Sequence, residues 1–152
     1  MQILIESEKQ ELIWASMQED LRMYTAKVFE RFCMEWLKKN NGSDIFHIII
    51  AEIGSWWGKD PRVHAPNTIE HEIDILAFGK NDKEILVGEC KWQKKYVGVD
   101  VLVLLLERAS FFSKTKQELF IFAKSGFTEE CIAKADEYGV RLVTFDEMFM
   151  SE

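Results

Sequence analysis

Proline and cysteine are scarce in this chain of 152 residues, long apolar runs are missing, and the charge balance is short of cations. Only two prolines occur, Pro61 and Pro66, and aromatics are plentiful, so the composition is that of an ordinary globular protein. The three cysteines, Cys33, Cys90 and Cys131, are odd in number and far apart. They form neither a disulfide framework nor a zinc cluster, and they read as buried thiols in a reducing cytosol. No apolar run approaches the roughly 20 residues of a membrane span. The first residues lack the basic start and apolar core of a signal peptide, so the expectation is a cytoplasmic protein with no membrane association. A Gly-x-x-x-x-Gly-Lys-Ser/Thr stretch is also missing, which leaves the chain without a nucleotide-binding P-loop. The net charge of −7 speaks against a nucleic-acid partner. It is unevenly spread, however: residues 90–116 carry Lys91, Lys94, Lys95, Arg108, Lys114 and Lys116 against Asp100 and Glu107.

What is present is a succession of well-punctuated elements, read as one domain over 1–152 with residues 1–20 a helical N-terminal extension. Residues 6–20 are expected to be helical without a clear stripe. Residues 21–39 form a stronger helix, with Ala26, Val28, Phe29, Phe32, Cys33, Trp36 and Leu37 on one arc and Glu30 at its edge. Asp44–Ile53 is expected to be a buried strand, and 54–67 a loop containing Trp56, Trp57 and both prolines. A hairpin occupies roughly 69–92. Val99–Ala109 has helical spacing, Glu118–Ala123 reads as a strand, Thr128–Tyr138 as a helix capped by Thr128, and Val140–Thr144 as a last strand. Gly139 suits the left-handed position after that helix. Antiparallel strands followed by β-α-β units predict an α/β fold, a mixed sheet with helices on its faces.

The hairpin carries the chemistry. With its turn centred on Asn81-Asp82, an antiparallel ladder pairs Phe78 with Ile85, Leu76 with Val87, Asp74 with Glu89, and Glu72 with Lys91. All four pairs would share one face. Like charges directly opposed destabilise a sheet, and a bound cation reverses the sign of that interaction. Mg²⁺ or Mn²⁺ takes oxygen ligands and few carboxylates. Asp74, Glu89 and the Cys90 carbonyl would supply them, Lys91 would orient a water or offset phosphate charge, and Glu30 would complete the outer shell. Trp56 and Trp57 are better placed to close a core or meet a neighbour than to stack on bases. His64 and His71 belong to no metal-binding spacing.

The pattern Asp74 … Glu89-Cys90-Lys91 resembles that of the PD-(D/E)xK nuclease superfamily. Phe29-Glu30, Ile53-Gly54-Ser55-Trp56-Trp57-Gly58, Glu72-Ile73-Asp74-Ile75, Gly88-Glu89-Cys90-Lys91-Trp92, Val97-Gly98-Val99-Asp100-Val101 and Lys124-Ser125-Gly126-Phe127 together resemble the DUF234 family, over roughly residues 21–145. The resemblance implies a restriction-endonuclease-like core with Glu30, Asp74, Glu89 and Lys91 as its active-site positions; Ile73 stands where the superfamily pattern has proline. It implies a domain found at the C-terminus of archaeal-type P-loop ATPases, and hence either an excised domain or a stand-alone relative. The implied partners are DNA and a P-loop ATPase domain in the same or another chain; because only residues 90–116 offer net positive charge, the domain alone is expected to bind DNA weakly, and a homo-oligomer is left open. The implied function is a metal-dependent DNA endonuclease, or else a catalytically inactive nuclease-fold output domain of an ATPase.

Overall fold

The structure, a computed structural model, describes residues 3–64, 66, 69–112 and 116–150. It begins with α1 (Ile3–Lys39), one unbroken helix where the sequence pattern suggests two segments. Neither glycine nor proline occurs in that span, so nothing interrupts it. It stops where the Asn40 side chain donates to the Trp36 carbonyl at 2.8 Å and Gly42 adopts φ 84°. Its C-terminal half packs on the sheet through Phe29, Cys33, Trp36 and Leu37, the i, i+4, i+7, i+8 stripe of a helix buried on one side. Val28, expected within that arc, sits one residue's rotation off the stripe and stays 47% exposed.

The next strand is later than expected. Residues 44–49 are irregular, and β1 spans Ile50–Lys59, through the Trp56-Trp57-Gly58 stretch expected to be loop. Phe46 and Ile48 are buried, which explains the strand-like pattern, but side chains of the fourth strand satisfy the intervening backbone. The Glu118 carboxylate accepts from the His47 N–H at 3.0 Å, and the Lys116 ammonium donates to the His47 carbonyl at 2.6 Å.

The hairpin follows as β2 (Glu70–Gly79) and β3 (Glu84–Lys91). Then come α2 (Val99–Ala109), β4 (Lys116–Ala123), α3 (Glu129–Tyr138), β5 (Val140–Thr144) and a short α4 (Glu147–Met150) that the sequence pattern did not suggest. The sheet order is β1-β2-β3-β4-β5, antiparallel from β1 to β3 and parallel from β3 to β5. The fold is therefore α/β with a mixed sheet flanked by helices. Thr128 caps α3 by accepting from the Cys131 N–H at 3.1 Å, and Gly139 ends it at φ 69°.

Each face of the sheet has its own core. Phe29, Cys33, Trp36, Ile75, Ala77, Leu86, Cys90 and Phe122 belong to the α1 side. Ile73, Leu76, Ile85, Val87, Leu102, Leu105 and Ile121 belong to the side of α2 and α3. Strand alternation therefore sends Cys90 toward α1, and its neighbours Glu89 and Lys91 toward α2. Among the described residues no helix is long and apolar enough to cross a membrane.

Candidate active site

The hairpin register follows the turn. Phe78 pairs with Ile85 and Leu76 with Val87, and the last rung joins Ile75 to Gly88. Beyond it the two strands part. On its other side β2 is paired with β1, where Gly54 faces Leu76 and Trp56 faces Ile73. Between those rungs β1 advances two residues and β2 three, so β2 carries a bulge at Asp74-Ile75. The extra residue shifts the alternation: Leu76 and Ile73 both enter the α2-side core while Ile75 enters the α1-side core. Bulges of this kind re-aim a side chain and end a ladder.

The bulge corrects the expected pairing beyond Ile75 and Gly88: Asp74 and Glu89 form no rung, and neither do Glu72 and Lys91. Glu72 was expected opposite Lys91 on the face of Leu76 and Val87. Thrown onto the other face, its carboxylate instead lies 3.8 Å from the Lys27 ammonium of α1. A constant register cannot continue past an inserted residue.

Asp74 stands at the mouth of the fork between β2 and β3. Its Oδ2 accepts from the Cys90 N–H at 2.9 Å, taking the place of a ladder partner. The Cys90 carbonyl points the same way. Alternate residues of a strand address alternate neighbours, and the next carbonyl, that of Lys91, accepts from the Lys124 N–H beyond β4 at 3.0 Å. The Cys90 thiol is on the α1 side next to Cys33, and burial pushes it up.

Glu89 is only 5% exposed. Its Oε2 accepts from the Arg108 guanidinium of α2 at 3.1 Å, and the Asp74 carboxyl lies near enough to act on its titration. Burial above all, and then Asp74, push Glu89 up to about 8, while Lys91 and Arg108 pull the other way. At neutral pH Glu89 therefore keeps its proton. Glu30, from the α1 side, is raised by burial and by Asp74, and its Oε2 lies 3.4 Å from the Lys27 ammonium. Lys91 is half-buried on a wall of a cleft of about 540 Å³ that Asp100 and Thr128 also line.

Glu30, Asp74, Glu89, the Cys90 backbone and Lys91 thus come together at the end of the hairpin away from its turn. The donor set is all oxygen, two carboxylates and a carbonyl, the kind a hard divalent cation takes. The sequence pattern placed Arg108 only among the cations of residues 90–116. As the single basic residue of a helix that is mostly apolar, it carried a signal: a cation on a buried helix needs an anion nearby. Trp56 packs edge-on against Phe112 at 5.5 Å, whereas Trp57 is 70% exposed. His71 packs edge-on against Phe111 at 4.8 Å. Among the described residues no group of three or more His, Cys, Asp and Glu side chains is arranged to hold a metal, so a cation here would rest on the two carboxylates and the backbone.

Comparison with known proteins places residues 1–104 on the model of the DUF234 family, described as archaea bacterial proteins of unknown function. The chain is 31% identical over 74 residues to the uncharacterized protein MJECL04 of Methanocaldococcus jannaschii, a stretch covering 49% of this chain and 15% of that protein. The crystal structure of the protein of unknown function AF1548 is similar at a TM-score of 0.46 with 22% identity, over 66% of this chain and 56% of that one. The DNA modification-dependent restriction endonuclease AspBHI is similar at a TM-score of 0.44 with 15% identity, over 79% of this chain and 29% of that one. The chain therefore spans less than two-thirds of the length of each of these proteins.

Proposed function

Since this chain belongs to the DUF234 family, whose members' function is unassigned, we propose its role from its own site: a Mg²⁺- or Mn²⁺-dependent nuclease domain that cleaves DNA phosphodiesters. The observation that carries the reading is the placement of Asp74, fixed by the Cys90 N–H at 2.9 Å, beside the buried Glu89 at the β2–β3 fork, where burial and Asp74 push Glu89 up to about 8. A sheet gains nothing from two carboxylates placed together. The same pair gains a great deal from a cation between them.

Asp74, Glu89 and the Cys90 carbonyl would hold the cation, which when bound supplies positive charge to the phosphate oxygens and lowers the pKa of a water. Asp74 is held in place by the Cys90 N–H, and Glu89 by Arg108, so neither carboxylate swings freely. Lys91 projects from the same face of β3 as Glu89. Its ammonium is suited to orient the attacking water and to offset charge on the phosphorane-like transition state. Glu30 accepts protons or hydrogen bonds from water at the outer edge of the site.

Calorimetric titration with Mn²⁺ tests the assignment. Wild type should bind Mn²⁺, Asp74→Asn should not, and Lys91→Ala should bind it while losing turnover. A wild-type protein that takes up no Mn²⁺ contradicts the site. The second reading, a catalytically inactive nuclease-fold output domain of a P-loop ATPase, is favoured by the net charge of −7, which repels nucleic acid.

A further inference from the structure

The basic run 90–116 does not form a patch as a block. Arg108 is bound to Glu89, Lys116 to the His47 carbonyl, and Lys114 lies outside the described residues. A different set of cations converges instead. A cleft of about 430 Å³ opens between α1 and the ends of β3 and β4, lined by Arg22, Thr25, Trp92, Gln93, Lys94 and Lys124. Among the described residues no carboxylate lines it. Arg22 is ion-paired with Glu19, but among the described residues neither Lys94 nor Lys124 has a carboxylate partner. On a chain of net charge −7, the cleft has two lysines without a carboxylate partner beside an arginine paired with Glu19.

Its position ties it to the fork. Trp92 follows Lys91 directly and packs its ring 4.9 Å from that of Phe29, the neighbour of Glu30. The Lys124 ammonium sits over the Trp92 ring, 4.9 Å from its centroid. The ring thus holds that cation in one place and cannot offer the same face to a base. Lys94 lies three residues beyond Lys91, at most roughly 10 Å of extended chain. That reach is of the order of the separation between neighbouring phosphates along a strand.

We propose that the Arg22–Lys94–Lys124 cleft holds the phosphate backbone of the nucleic-acid strand flanking the bond at the Asp74–Glu89 fork, without reading its sequence. The proposal rests on the nuclease reading and adds the path of the substrate. Phosphates, not bases, are the ligand, because the cleft offers fixed cations and an occupied aromatic face. Each phosphate contact contributes about 0.7–0.9 to the slope of log K against log salt, so Lys94 and Lys124 together account for a slope of about 1.4–1.8.

The experiment measures binding of a fluorescein-labelled DNA oligonucleotide by anisotropy, from about 25 to about 200 mM salt, a range across which the Debye length shortens severalfold, with the full chain in Ca²⁺. Lys94→Ala/Lys124→Ala should lower the slope by that amount and weaken binding at least about tenfold at the lowest salt. Lys94→Arg/Lys124→Arg should keep both. Lys38→Ala/Lys80→Ala, removing two exposed lysines near the turn end of the hairpin, should change neither by more than a few tenths. Thermal melts check that each variant is folded, and Mn²⁺ affinity should be the same in all of them. A wild-type slope and affinity in the alanine double variant overturn the proposal, as does a wild type that binds no DNA. DNA bound through this cleft without any cleavage in Mn²⁺ would leave the cleft in place and remove the nuclease reading.

Discussion

Glu89 gives the fold a pH dependence opposite to that of a salt-bridged surface carboxylate. An ordinary glutamate titrates near 4.5, whereas Glu89 in the folded chain is pushed up to about 8 by burial and by Asp74. Between those two values the folded protein keeps a proton that the unfolded chain has already lost. Stability therefore falls as pH rises through this window; it is highest below about 4.5 and flat again above about 8. Each pH unit inside the window is worth about 1.36 kcal/mol, so the metal-free protein should lose about 3 kcal/mol between pH 5 and pH 8 through this one group. Glu89→Gln removes the titration while keeping an oxygen for Arg108 to donate to. Urea unfolding in EDTA at pH 5, 6, 7 and 8 gives both curves, and their difference reports Glu89 together with its interaction with Asp74. Wild type should decline relative to Glu89→Gln by about 3 kcal/mol across the range, and Mn²⁺ should restore much of the loss at pH 8 by binding only the folded state. A difference between the two proteins that stays constant with pH to within about 0.5 kcal/mol would refute the reasoning.

Arg108→Met should cost about 3–5 kcal/mol at pH 8, where it leaves Glu89 buried without its counter-charge, and clearly less at pH 5, where the carboxyl holds its proton; the same unfolding series reads both. Phe29→Ala, at a buried position of α1 against Trp92 and Phe145, should cost about 3–5 kcal/mol in urea unfolding. Gly139→Ala should cost about 1–2 kcal/mol from the left-handed backbone alone, because a Cβ there meets nothing within 4 Å; a neutral change in thermal unfolding would contradict that.

Where the sequence pattern matched the fold, local physics decided the outcome. The Asn81-Asp82 turn sets the hairpin register as far as Gly88, and Thr128 and Gly139 mark both ends of α3. The mismatches arose where tertiary contacts overrode local pattern. Phe46 and Ile48 alternate as a strand would, yet their backbone is held by Glu118 and Lys116 from about seventy residues away. The bulge at Asp74-Ile75 is set by how β2 satisfies β1 on one side and β3 on the other, which neither strand's own sequence encodes. It turned Glu72 away from Lys91 and toward Lys27. Asp74 and Glu89 were legible as a pair because both lie within a few residues of the turn-fixed register. Arg108 was not, because its partner comes from a different element.

The central claim is that the Asp74–Glu89 fork is a metal-dependent phosphodiesterase site. The most direct measurement is Mn²⁺-dependent cleavage of labelled duplex, single-stranded and branched DNA by the wild type and by Asp74→Asn, purified identically. The account predicts that at least one of these DNAs is cut by wild type in Mn²⁺, is left intact in EDTA, and is left intact by Asp74→Asn. Cleavage that persists at the wild-type rate in Asp74→Asn, or a wild type that cuts none of them, would contradict it.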